Sequence, residues 1–425
     1  MGLTDDGGAS IIAYGVTTGN AVIETLTEDD GPTLTSAASG TLTINLDSGT
    51  PSAKIVTASE TVEIGRIKLT ASNENIDVTQ LVLNIADGGT ANGTVAGSSD
   101  DVTTFYLYKA GESTPFAEGN IPSGATTKTW NFSKGVLLVT KDSTAGLVIY
   151  IKAKFAGIGT GQTGSSGADL IVGLGGTDGI KGYGSASGSE SSETYTQSTS
   201  SAMILHLAKP KVSFENAVNG VAGSLMSGAV MFDFNVKNET LEPFAISQLN
   251  FGTATSGNDD INVDGAYLQA KLSGDSSYST ISAGDDGTDI NDNSTWAEYF
   301  HYDLHGKNAS TQTFMPYVIP AGDTARFQLI AGTVGGLDGT TGEGISTYLL
   351  GDTATSTTEA AVATDINSDS YSEQNQGNFV WSDLWSNNST HYGADSNATS
   401  TVAQWWNGYL VDGLQTTSSA QTLRE

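Results

Sequence analysis

The strongest constraint on this chain is that it matches itself. Val78-Thr79-Gln80-Leu81-Val82-Leu83 returns as Ile246-Ser247-Gln248-Leu249-Asn250-Phe251, 168 residues downstream. Asp100-Asp101-Val102 with Phe105-Tyr106-Leu107 corresponds to Asp259-Asp260-Ile261 with Ala266-Tyr267-Leu268. Val139 to Gly157 aligns without a gap on Val318 to Gly336, 179 residues downstream, which sets Tyr150 on Leu329. Three anchors in one order, with offsets that differ only by loop insertions, indicate two homologous domains.

The repeated unit reads as β. Thr41-Leu42-Thr43-Ile44-Asn45-Leu46 alternates polar and apolar residues, as do Val62-Glu63-Ile64 and Ile67-Lys68-Leu69. Phe105-Tyr106-Leu107-Tyr108 and Leu147-Val148-Ile149-Tyr150-Ile151 are further strands. Gly, Asn, Asp, Ser and Pro clusters interrupt these runs roughly every 10–15 residues, the spacing of a sandwich or barrel. The expected fold is all-β, two tandem immunoglobulin-like β-sandwiches after an N-terminal extension. The extension covers 1–40, the first sandwich 41–200 and the second 201–425. The Gly/Ser/Thr-rich stretch Gly182 to Ser201 reads as a linker or long loop closing the first sandwich. The second opens near Met203-Ile204-Leu205-His206-Leu207 and ends in a Trp-rich segment.

Charge narrows the function. Lys and Arg number 17 against 47 Asp and Glu, a formal charge of −30. Nucleic acid and anionic lipid need basic patches, so both are poor partners. There is no Cys, which removes disulfides, thiolate metal sites and Cys nucleophiles. No apolar run approaches the ~20 residues of a membrane span. The acidic start Met1-Gly2-Leu3-Thr4-Asp5-Asp6 is unlike a secretion signal. The scarcity of Lys and Arg and the abundance of Gly, Ser and Thr nevertheless suit an extracellular protein in mature or trimmed form.

Gly40-Thr41-Leu42-Thr43-Ile44-Asn45-Leu46-Asp47 with Thr50-Pro51, the strand pair from Val62 to Ala71 and the Val318-Ile319-Pro320-Ala321-Gly322 turn carry a resemblance. The ending Phe379-Val380-Trp381-Ser382-Asp383 with Trp406-Asn407-Gly408-Tyr409-Leu410-Val411 extends it. The tandem pattern resembles bacterial cell-surface and S-layer-like proteins with immunoglobulin-like β-sandwich domains. It covers most of the chain beyond residue 40. It implies an exported, repetitive wall or surface-coat protein.

Few constellations carry chemistry. Asp260, Asn262 and Asp264 precede Gly265 with the 1-3-5 spacing of a calcium loop, but position 12 is Lys271. Asp289, Asn291 and Asn293 repeat the spacing, as do Asp365, Asn367 and Asp369, again without the closing Glu. These nine residues are candidate ligands for structural Ca²⁺, and turn formation is the competing reading. His301, Asp303 and His305 share one face of a strand and could meet a transition metal, but a solvated face is the preferred reading. His206 and His391 stand alone. No Ser/His/Asp set is recognisable, because Ser and Asp are too numerous for spacing to choose among them. The C-terminal Trp residues suit core closure or sugar stacking. N-linked sequons fall at Asn92, Asn131, Asn238, Asn293, Asn308, Asn387, Asn388 and Asn397.

The expected function is therefore non-enzymatic: an extracellular subunit of a self-assembling surface layer or filament. Its partners would be copies of itself, with cell-wall or surface glycan as a further partner. An adhesin or carbohydrate-binding surface module using the C-terminal aromatics is the alternative. In the extension, Ile11, Ile12, Tyr14, Val16, Val22 and Ile23 need a partner surface; their own sandwich could supply it, and so could a neighbouring molecule through strand addition, which is the reading adopted.

Overall fold

The computed structural model describes residues 17–18, 39–87, 97–174, 179–195, 199–214, 224–257, 261–282, 299–304, 316–339, 342–353, 378–385 and 406–425. Nearly all of the extension lies outside these residues.

The N-terminal half contributes β1 (Thr41–Leu46), β2 (Lys54–Thr57), β3 (Thr61–Ser72), β4 (Ile76–Asp87), β5 (Val102–Lys109), β6 (Ala117–Gly119) and β7 (Thr127–Asn131). It continues with β8 (Leu137–Val139), β9 (Leu147–Phe155), β10 (Ala168–Leu174), β11 (Ile180–Gly184), β12 (Ser192–Tyr195) and β13 (Met203–His206). The C-terminal half contributes β14 (Pro210–Ser213), β15 (Val230–Asn238), β16 (Phe244–Ser256), β17 (Asn262–Asp264), β18 (Tyr267–Leu272), β19 (Ser279–Ser282) and β20 (Tyr299–Asp303). It ends with β21 (Tyr317–Ile319), β22 (Thr324–Ile330), β23 (Thr333–Gly335), β24 (Gly344–Leu349), β25 (Phe379–Ser382) and β26 (Gln421–Arg424). Among the described residues the one helical element is a 3₁₀ turn, Ser99–Asp101.

Each half is a β-sandwich, and the fold is all-β. In the first half, β12-β1-β3-β9-β5-β6 form one sheet. The facing sheet runs β11-β4-β10-β13-β2, with β7 and β8 also on β4. Alternate residues of both sheets fill one core, where Leu42, Ile67 and Leu69 meet Val78, Leu81 and Leu170. In the second half, β14-β15-β22-β18-β19 face β20-β16-β24-β26, with β21 and β25 also on β16. Phe232, Phe234 and Phe327 there share a core with Leu249, Phe251 and Phe300.

The repeat persists down to individual pairings. Leu81 lies between Trp130 and Ile180, and Leu249 lies between Tyr302 and Phe379. Thr79 and Ser247 are the extra residues of matching bulges, and so are Ile64 and Met231. The parallel pairing of β1 with β12 returns as a Lys211–Asp412 bridge, and that of β2 with β13 as a Ser224–Arg424 bridge.

The gapless match across the second anchor is one residue out on both sides of its turn. Val139 lies opposite Ile76 and Ile319 opposite Phe244, so Val139 corresponds to Ile319 rather than Val318. Beyond the turn, Leu107 faces Ile151 and Leu268 faces Leu329. Leu329 therefore takes the place of Ile151, and Gln328 takes that of Tyr150. The second turn is shorter, and a gapless alignment divides the deletion between its two flanks. Side chains alternate with a period of two, so such a slip exchanges core for solvent. Leu329 is fully buried, whereas Tyr150 lies on the outer face beneath Arg66.

Two boundaries also move. β13 pairs with β10 and β2, so the changeover between sandwiches falls at 207–209 rather than at 200–201. The stretch from Gly182 to Ser201 is not simply a linker, because it holds the end of β11 and all of β12. Gly182 is there for contact. A Cβ on it would lie 2.5 Å from Ile76 Cγ2 and 3.0 Å from Ser191 Oγ. Low-complexity composition here reflects close strand packing.

Leu329→Ala is expected to destabilise the protein by about 2–5 kcal/mol through a core cavity. Tyr150→Thr removes only an outer-face cross-strand contact, and about 1 kcal/mol or less is expected. Denaturant unfolding measures both, and equal losses would contradict the register.

Candidate functional site at the junction of the two halves

β13 ends at His206 because the next residues must leave the first sandwich for β14. Three chemically capable side chains converge there from separate segments. Ser166 precedes β10, His206 closes β13 and Asp383 follows β25. Their exposures are 0%, 2% and 0%. One carboxylate oxygen of Asp383, Oδ2, accepts hydrogen bonds from the Ser166 hydroxyl and, at 2.8 Å, from the Leu207 backbone N–H. His206 Nδ1 lies 3.3 Å from Ser166 Oγ and 3.4 Å from Asp383 Oδ2. The other oxygen, Oδ1, accepts from Trp385 N at 3.3 Å.

Aromatic rings wall the cluster. The His206 ring is 4.9 Å from each of Trp381 and Trp406. Trp381 and Trp406 exchange backbone hydrogen bonds of 3.0 and 2.8 Å. The Trp406 ring presses on Gly167, where a Cβ would fall 2.1 Å from Cη2, so no larger residue fits. Leu384 adopts φ 57°, a left-handed conformation that turns the chain immediately after Asp383.

A second carboxylate anchors the same region. Asp352 accepts from the backbone N–H groups of Asn378, Phe379 and Gly408 at 2.7, 3.1 and 2.7 Å. This ties the start of β25 to the segment carrying Trp406. Burial pushes its carboxyl above the ordinary value, and the three N–H donors oppose that rise.

The residue types are those of a hydrolytic triad, but the geometry is not. A triad presents its carboxylate to one imidazole nitrogen and its hydroxyl to the other. Here one nitrogen faces both groups, and the hydroxyl donates directly to the carboxylate. Ser166 is fully buried and its hydroxyl hydrogen is committed to Asp383. The cluster can hold one half to the other: Ser166 and His206 belong to the first sandwich, Asp383 to the second.

His206 is thus not isolated, contrary to expectation from the sequence. Forty residues separate it from Ser166 and 177 from Asp383, so no local spacing could reveal the set. The one signal was a histidine closing an otherwise apolar strand, Met203-Ile204-Leu205-His206.

The remaining candidates fall elsewhere. Asn262 and Asp264 lie on extended β17, paired with β23, not in a curled loop. Residues two apart on a strand are about 7 Å apart. Among the described residues no group of three or more His, Asp or Glu could hold a metal ion. Asp260, Asp289, Asn291, Asn293, Asp365, Asn367 and Asp369 lie outside the described residues. β20 carries His301 and Asp303 opposite Asn250 and Gln248, while His305 and His391 lie outside the described residues. Trp381 and Trp406 are core residues, unavailable to a sugar ring. The Asn238 sequon is closed as well, since its amide donates to the carbonyls of Glu242, Ile319 and Pro320.

No protein-family model matches the sequence, and no curated protein matches it. Solved structures give distant likenesses. The C-terminal domain of the Streptococcus agalactiae AgI/II polypeptide BspA is 9% identical, covers 73% of this chain and 95% of its own, with a TM-score of 0.15. The collagen-binding domain of Erysipelothrix rhusiopathiae surface protein RspB is 10% identical, with 74% and 86% covered and a TM-score of 0.17. The YadV chaperone is 10% identical, with 74% and 95% covered and a TM-score of 0.16. Scores of this size decide nothing about function.

Asp383→Ala strands the Ser166 hydroxyl and the Leu207 N–H in a sealed site, and a loss of about 3–5 kcal/mol is expected. Ser166→Ala is expected to cost about 1–3 kcal/mol, because it removes one of the donors to the carboxylate. Faster proteolytic cleavage at 207–209 should accompany Asp383→Ala. Unchanged stability and cleavage would show that the cluster does not hold the halves.

Proposed function

We propose that this chain is a non-enzymatic structural protein of the cell surface, a subunit that assembles with copies of itself into a layer or filament. The junction is the observation that carries this reading. A sealed Ser166–His206–Asp383 cluster spends its polar groups on holding two sandwiches together, which suits a building block and gives a substrate no access. The duplicated sandwich, the charge of −30 and the absence of Cys suit an extracellular location. Among the described residues no helix is long and apolar enough to cross a membrane. Structural Ca²⁺ at Asp289, Asn291 and Asn293 and at Asp365, Asn367 and Asp369 belongs to the same proposal, because a divalent ion would relieve repulsion between copies.

An adhesin remains the second reading. It would have to bind through a surface other than Trp381 and Trp406, since the core takes both rings.

Purified protein is expected to form ordered assemblies by light scattering and electron microscopy. Deleting residues 1–38 should weaken them while leaving the fold intact, because the extension's apolar residues need a neighbour. Chelation should lower the melting temperature or the assembled fraction. A protein that stays monomeric across salt, Ca²⁺ and concentration would defeat the assembly reading.

A further inference from the structure

The two sandwiches share a fold but differ on one face. On the outer face of the β12-β1-β3-β9-β5-β6 sheet, three cross-strand rows run side by side. One row is Arg66, Tyr150 and Tyr108, the next Glu63, Lys152, Tyr106 and Glu118, and the third Asn45, Lys68 and Val148, so with Lys154 four cations share the face with two carboxylates. The Arg66 guanidinium stands 4.5 Å over the Tyr150 ring, and the Lys152 ammonium 4.8 Å over Tyr108. Lys154 is exposed at the end of the same face. Glu63 is spent on Arg66, at 2.5 Å.

The second sandwich provides an internal control. Its equivalents of Arg66, Tyr150 and Tyr108 are Asp233, Gln328 and Gln269. Asp233 accepts from Arg326 at 2.6 and 2.9 Å and from Gln328 at 2.8 Å, and Gln269 donates to Gln328 at 2.9 Å. The second face carries cations as well, Lys237, Lys271 and Arg326, with Lys271 4.8 Å over Tyr278, but Asp233 pairs with Arg326 and Glu239 with Lys237. On the first face Lys68, Lys152 and Lys154 have no carboxylate partner among the described residues.

Charge names the partner. Residues 41–206 hold 15 Asp and Glu against 10 Lys and Arg, whereas residues 207–425 hold 26 against 7. A cationic face on the milder half and a strongly acidic second half are complementary between molecules. The Tyr150 and Tyr108 rings are capped by cations, so neither offers an open outer face for a sugar to stack on.

We propose that the outer face around Arg66, Lys68, Lys152 and Lys154 docks the acidic C-terminal half of a second copy. This rests on the reading that the chain self-assembles, and it names the surface. The contact joins unlike patches, so it is heterologous and propagates as a filament or ring rather than closing as a two-fold dimer.

The test uses the full chain. Lys68→Glu with Lys152→Glu should raise the concentration needed for half-maximal assembly about tenfold or more, with the chain still folded by circular dichroism. Thr70→Lys adds a cation to the same face and should lower that concentration, which keeps the test informative if the double variant folds poorly. Raising salt from 50 to 500 mM should weaken assembly of the wild type more than that of the double variant. If the wild type assembles and the variants assemble identically, this surface is not the contact, although the assembly reading stands. If the wild type stays monomeric yet binds polygalacturonate through these residues, the occupant is an acidic glycan and the proposal is overturned. If the wild type neither assembles nor binds, the assembly reading itself falls.

Discussion

Each half of the molecule depends on one long strand paired along both edges. β4 spans 12 residues and β16 spans 13. β4 takes β10 and β11 end to end on one side and β7 and β8 on the other. β16 takes β24 and β25, then β20 and β21. A buried strand must satisfy its backbone N–H and C=O groups throughout its length. Four short partners do this where two long ones would have to match its twist over the same distance. The bulges at Thr79 and Ser247 absorb the mismatch where one partner gives way to the next. Everything else, including the faces presented to solvent, is hung on these two strands.

The fold was legible because it is written twice. Gln80-Leu81 and Gln248-Leu249 could be matched by eye, and alternation in Thr41–Leu46 placed a first strand without help from its partners. Register was less legible. The turn before β9 differs in length between the copies, and Val318, Ile319 and Leu329 are all apolar. Hydrophobicity alone could not show which of them face the core. Gly-rich composition misled in the other direction: Gly182 reads as flexible, yet it is small so that Ile76 and Ser191 can approach.

The junction could not have been read from the sequence at all. Ser166 is one serine among many, and its role exists only once β10, β13 and β25 are in place. Asn262 and Asp264 illustrate the converse: their spacing reads as a loop, but both lie on β17, paired with β23. Polar residues in this protein acquire function from the topology that gathers them, whereas apolar ones declare their place by period.

The order of the segments at the junction bears on how the chain is made. All strands of the first sandwich lie between Thr41 and His206, so it can close as soon as that stretch leaves the ribosome. Ser166 and His206 are then in position, but the carboxylate that joins them lies 177 residues beyond the histidine. Until Asp383 arrives, the end of the first sandwich is an unfinished polar socket. The last quarter of the chain therefore acts as a latch, and a nascent or truncated product lacking it would keep the Leu207-Ala208-Lys209 connector but lose the carboxylate that ties Ser166 and the Leu207 N–H together.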